Sequence, residues 1–144
     1  MPKPGEPYTS DEEVEAVVRR FESCELPPAD FNHREHLLVA LCYLLRADDA
    51  GALSRLRSRI DEYVAAHGIN PSLYHETITV FWLRRVRAYV GRAGAGRGLA
   101  GMVNELAAEC GSSRLVYEYY SKGLLDSEGA RRGWVEPDLR ALDC

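Results

Sequence analysis

The sequence has no C-x-x-C pair, no run of about 20 apolar residues and no excess of positive charge. Its cysteines, Cys24, Cys42, Cys110 and Cys144, are scattered. Neither a zinc ribbon nor a disulfide scaffold is signalled, and Cys42 and Cys110 fall on apolar helix faces as small core residues. Without a long apolar run there is no candidate membrane span. Met1 to Pro7 also lacks the apolar stretch of a secretory signal, so the expected location is the cytoplasm. A formal net charge of −4 argues against non-specific nucleic-acid binding, which needs clustered positive charge. No alternating apolar run demands a strand, and no internal repeat is visible.

What remains is helical periodicity. At 144 residues the chain reads as a flexible N-terminus over 1–9 and one domain over 10–144, large enough to bury a real core. Ser10 with Glu13 forms a capping box, and Val14, Val17, Val18 and Phe21 come next at helical spacing, stopping near Cys24 before Pro27 and Pro28. A second helix opens at Asn32, with Glu35 able to complete an N-x-x-E box and Asp30 as the competing cap. Its stripe is His33, His36, Leu37, Ala40 and Leu44, and with Leu38, Leu41 and Leu45 also apolar it should be central. A third starts near Asp48 or Asp49, runs through Leu53, Leu56, Ile60, Tyr63 and Val64 to His67, and stops at Gly68. Asn70-Pro71 is the start signal for a fourth, with stripe His75, Ile78, Thr79, Trp82, Val86 and Tyr89. A fifth carries Leu99, Met102, Val103, Leu106 and Cys110. Ser112 or Ser113 caps a sixth, and Asp126 is placed to cap one further turn. The tail from Trp134 to Leu139 looks extended, with both of those side chains able to dock. The fold class is therefore all-α, a single-domain bundle of about five to six helices with an extended C-terminal tail.

Short links make neighbouring helices antiparallel, which brings all four histidines to one end of the bundle. His36 lies four residues past Asn32 and His75 five past Asn70, depths of about 6 and 7.5 Å that put them at one level. His33, His36 and His75 sit in first turns, where the positive helix end favours a neutral imidazole, the form a metal or a general base requires. His33-x-x-His36 is a workable bidentate spacing, and His75 would be a third ligand, leaving an open position for zinc, iron or manganese. No H-E-x-x-H motif and no paired Glu-x-x-His motifs support it. Metal-free acid–base chemistry by a His–Glu pair fits the same residues. The candidate catalytic set is therefore His36, His75, Glu76, Glu35 and His67, and the candidate metal set is His33, His36 and His75. Each has a plainer reading: His67 as a helix-end cap, Glu35 as the returning half of a capping box, the others as core histidines bonded to backbone.

Weaker signals surround these. The glycine loop from Gly94 to Gly98 reads as a flexible link, with an anion cradle helped by Arg92 and Arg97 as the sharper alternative. Arg84, Arg85 and Arg87 read as a solvated helix face or a basic patch. Tyr117, Tyr119 and Tyr120 read as packing or pocket walls, and Cys24 as packing, a ligand or a nucleophile.

Several stretches stand together as a pattern: Cys24-Glu25-Leu26-Pro27, His33-Arg34-Glu35-His36-Leu37, Tyr74-His75-Glu76-Thr77-Ile78-Thr79 with Phe81-Trp82, Tyr119-Tyr120-Ser121, and Trp134-Val135-Glu136-Pro137-Asp138-Leu139. In these the chain resembles a family of small helical bacterial proteins of uncharacterised function. The resemblance implies a stand-alone domain and supplies no activity. The residues themselves lead to the expectation of an enzyme acting on a small molecule in a His/Glu pocket at one bundle end. The alternatives are a module that binds a metabolite without turnover, or a protein-interaction domain using the Arg-rich fourth helix and the Trp134 tail.

Overall fold

A computed structural model describes residues 1–94 and 96–144. It is all-helical, with no strand among the described residues. Five long helices, α1 (Asp11–Glu22), α2 (His33–Arg46), α3 (Asp49–Ala66), α4 (Glu76–Ala93) and α5 (Leu99–Cys110), precede the short helices α6 (Lys122–Leu125) and α7 (Glu128–Arg132). None of the described helices is long and apolar enough to cross a membrane.

The core is built around α2, which packs against α1, α3, α4 and α5. Every residue from Leu37 to Leu44 is buried, as the unbroken apolar run demands of a helix covered on all sides. Each large aliphatic side chain among them contributes about 1.5–3 kcal/mol of apolar burial. Leu45, counted in the same apolar run, points outward and is 43% exposed. A second, smaller core of Phe81, Val116, Tyr119, Tyr120 and Leu125 joins α4 to the C-terminal third, with Trp134 packed against it.

Local chemistry sets most boundaries. Ser10 Oγ caps α1 by accepting from Glu13 N, while the Glu13 carboxylate turns back to Thr9 N and Oγ1. The chain leaves α1 through Cys24, which takes the left-handed conformation (φ 66°) usually left to glycine or asparagine. Asp48 caps α3 through Gly51 N. Gly68 closes α3 at φ 65°, with Ile69 N bonding back to Val64 O.

The structure corrects several boundary expectations. Asn32 caps α2 by position only: its side chain makes no capping bond. Asn70 caps a 3-10 turn over Pro71–Leu73, not α4. Backbone bonds there run three residues back, the chain straightens at Tyr74, and α4 begins only at Glu76. Ser112 does cap the segment after α5, but that segment, Ser113–Glu118, is a 3-10 helix. Asp126 ends α6 and starts nothing. The caps of α6 and α7 are the serines Ser121 and Ser127, whose short hydroxyls accept from the free N–H groups three residues on. In the tail, Trp134 docks, but Leu139 is 59% exposed, with its backbone N–H bonded to Tyr119 O.

Residues 1–9, expected to be flexible, contain a firm anchor. Tyr8 is buried, and its backbone N–H and carbonyl are clamped by the two ends of the Asn104 amide at 2.9 and 2.8 Å.

Candidate functional site

The four histidines do gather at one end, but each is placed by a different local force. The 3-10 turn shifts His75 out of the helix interior to the N-cap of α4, where Nδ1 accepts from Ile78 N. Its Nε2–H then donates to Leu125 O at 2.7 Å, so both ring nitrogens are engaged. His67 is the C-cap of α3 and donates to Cys24 O at 2.9 Å, its ring against Tyr63. That bond joins the C-terminal ends of α1 and α3 through the backbone of Cys24. His33 donates Nε2–H to Cys110 O at 2.9 Å, joining the start of α2 to the end of α5. Its ring meets the edge of Trp82 with centroids 4.5 Å apart.

His36 differs from these three. It stacks on Phe31, with ring centroids 3.9 Å apart and planes 11° apart. It is exposed, yet it lies deep among the atoms of the bundle. Both statements hold because it lines a cleft. One lobe of the cleft, about 470 Å³, runs from Phe31 past His33 and His36 to Trp82 and Tyr117. The other, about 390 Å³, runs from His36 past Ile60 and Ile78 to Leu73, Tyr74 and His75. Phe31, His36, Ile60, Ile78 and Thr79 belong to both lobes. His36 therefore sits at the junction of one bent, mostly apolar groove between α2, α3 and α4.

The groove governs the protonation of its imidazoles. Desolvation among the packed helices holds His36 well below an ordinary histidine, down to about 4. Its neighbour His33 adds to the shift, and the carbonyl of Phe31 opposes it. Desolvation lowers His33 too, against the opposing pull of the Cys110 carbonyl. Near neutral pH His33 and His36 are neutral rings; His33 has given its N–H to Cys110 O, while His36 can offer one donor and one acceptor to the groove.

The two glutamates do not join it. Glu35 is buried on the opposite side of α2's first turn, where Oε2 accepts from Tyr8 Oη at 2.9 Å and from Arg34 Nε at 2.8 Å. It is neither the returning half of a capping box nor a neighbour of the cleft. Glu76 is gripped by Arg57 through both carboxylate oxygens and by Tyr74 Oη at 2.6 Å. It lines a separate polar pocket of about 530 Å³. Among the described residues, no three or more His, Cys, Asp or Glu side chains are grouped so as to hold a metal ion.

The weaker candidates are absorbed by packing. Arg85 bonds Tyr119 Oη and Asp143, Arg87 bonds Asp49, and Arg84 lies over the Trp134 ring at 4.1 Å, so the α4 arginines are individually engaged. Arg92 and Arg97 pair with Glu109 and Glu105; Ala95, inside the glycine loop between them, lies outside the described residues. Tyr119 and Tyr120 are core residues, whereas Tyr117 is half exposed at the cleft.

Phe31, Ile60 and Trp82 are walls that a search for titratable groups misses, and Arg57 looks in sequence like one more solvated side chain. Trp82, Ile78 and Thr79 do lie on the apolar stripe of the fourth helix, as Ile60 lies on that of the third and His36 on that of the second, and these stripes are the signal that points to the groove. Comparison of this chain with family models, with curated proteins and with solved structures finds no match.

Proposed function

We propose that the protein binds a small, largely apolar molecule in the groove around His36. The observation that carries this reading is the accessibility of His36, Ile78, Thr79 and Trp82 along one concave apolar surface with a few polar groups. That composition is the usual one of a small-molecule site. His36 and Thr79 supply directional hydrogen bonds, and Phe31 and Trp82 supply flat apolar area.

Two observations favour binding over turnover. A His–Glu pair would need a carboxylate beside an imidazole, and both candidate glutamates are bonded elsewhere. A strongly depressed imidazole is also a weak base at neutral pH.

The test uses 1-naphthol and naphthalene as probes, monitored by the fluorescence of Trp82 in a Trp134→Phe background and by the imidazole proton signals. We expect 1-naphthol to quench Trp82, to shift the His36 signals, and to bind more tightly than naphthalene by a margin that His36→Phe removes. Probes that leave Trp82 and His36 unmoved would sink the reading.

A further inference from the structure

The lobe of the groove that contains His75 ends at Leu73 and Tyr74. Tyr74 also walls the polar pocket on its other side, with Arg57, Ser72, Glu76, Glu128, Arg131 and Arg132. A single side chain thus separates an apolar groove from an arginine-rich pocket.

The charges of that pocket do not cancel. Arg57 is matched by Glu76, whose carboxylate is held further by Tyr74 Oη. Arg132 is matched by Glu128 at 2.8 Å. Arg131 donates to the neutral carbonyl of Ser72 at 3.2 Å and, among the ion pairs of the described residues, has no carboxylate within reach. The nearby Asp126 is bonded to Lys122 at 2.6 Å. Three arginines against two glutamates leave one positive charge, carried by Arg131, a half-buried residue whose guanidinium meets Ser72 O at the exposed side of the polar pocket. A guanidinium with only a neutral acceptor is a ready partner for a carboxylate.

Resting on the reading of the groove as a binding site, we propose that the ligand is an amphiphilic carboxylate. Its apolar chain lies along Phe31, Ile60 and Ile78, and its head group passes Tyr74 to bond Arg131. Two negative charges in the pocket already belong to Glu76 and Glu128. A monoanion therefore fits the site, and a doubly charged phosphate monoester meets repulsion.

The experiment measures binding of decanoate, octanoate, decyl phosphate and decanol to the full chain carrying Trp134→Phe, through Trp82 fluorescence below the aggregation limit of each probe. Decanoate is expected to bind at least about tenfold more tightly than decanol, the scale of a charge-assisted hydrogen bond. It should exceed octanoate by roughly tenfold for the two added methylenes. Arg131→Ala should bring decanoate down to the level of decanol and leave decanol itself unchanged, which also shows that the variant is folded. Equal binding of decanoate and decanol, or decanoate binding indifferent to Arg131→Ala, would overturn the head-group site while leaving the groove intact as a binding site. Tighter binding of decyl phosphate than of decanoate would overturn the carboxylate assignment. If decanol and decanoate both fail to bind while 1-naphthol still does, the amphiphile assignment falls and the groove reading stands; if 1-naphthol fails as well, both fall.

Discussion

His36 and Phe31 stack nearly parallel, with 3.9 Å between ring centroids, where the two lobes of the groove meet. Phe31 precedes the N-cap of α2 and His36 closes its first turn, so the pair is a local device that folds the start of the helix onto itself. It covers one face of the imidazole with carbon and leaves the rest to the groove.

That environment makes stability depend on pH. In the unfolded chain the ring titrates near 6.5, whereas in the fold it is held down to about 4, chiefly by desolvation. A depressed folded pKa means the unfolded state takes up the proton first. The contribution to stability is therefore complete above about pH 6.5 and is lost as the pH falls toward 4. Surface carboxylates titrate in part of the same window, so the difference from a variant is the useful reading. His36→Phe, which cannot be protonated, should lose less of its urea midpoint between pH 7 and pH 5 than the parent. Parallel losses would show that the imidazole is not held neutral.

His75 is the second case. Its place in the sequence makes it a candidate ligand and acid–base group, whose replacement would remove activity and spare the fold. Its N-cap bond to Ile78 N and its bond to Leu125 O instead assign it a stability cost. His75→Ala should destabilise the protein by about 2 kcal/mol, the sum of a lost cap and an unpaired carbonyl. His75→Asn, which can still cap, should recover part of it. Equal denaturation curves for parent and alanine variant would contradict the assignment.

Glu35 with Tyr8 gives a third prediction. The carboxylate is 1% exposed and shares its Oε2 between Tyr8 Oη and Arg34 Nε, while the Arg34 guanidinium also lies over the Tyr8 ring at 4.8 Å. Burial and the carboxylate together push the Tyr8 hydroxyl well above an ordinary tyrosine. Tyr8→Phe deletes one donor to a buried charge and should cost about 1–3 kcal/mol. Glu35→Leu strands both donors and should cost more. Limited proteolysis of the first eight residues, faster in both variants, would report release of the N-terminal arm; unchanged cleavage would refute the anchor.

The sequence carried the long helices well because their apolar stripes repeat at the helical period. The run from Leu37 to Leu44 correctly marked α2 as central. The histidine end was legible as a region and misleading in detail. Asn70-Pro71 is as good a cap for a 3-10 turn as for an α-helix, and only the extended Tyr74 decides between them. With His75 moved to a cap, the depth match with His36 no longer brings their rings together as ligands. Glu35 and Glu76 could not be placed from spacing, because their partners Tyr8 and Arg57 lie 27 and 19 residues away. A groove is made of the space that three helices fail to fill, and no single helix announces it.

The C-terminal tail supplies the last prediction. Thr77, fully buried near the start of α4, donates its hydroxyl to Gly133 O at 2.7 Å and accepts from Val135 N at 3.2 Å. These two bonds bracket Trp134 and set it between the Arg84 guanidinium and the Tyr120 ring. Thr77→Val keeps the shape and removes both bonds, leaving a partly buried carbonyl and N–H without that partner. We expect a loss of about 1–3 kcal/mol. In a Trp82→Phe background, the emission of Trp134 should also shift to the red as its ring gains contact with water. Thr77→Ser should preserve the emission, since it retains the hydroxyl and loses only a methyl group. A Thr77→Val variant with native emission would mean that Arg84 and Tyr120 hold Trp134 by themselves and that the tail does not depend on Thr77.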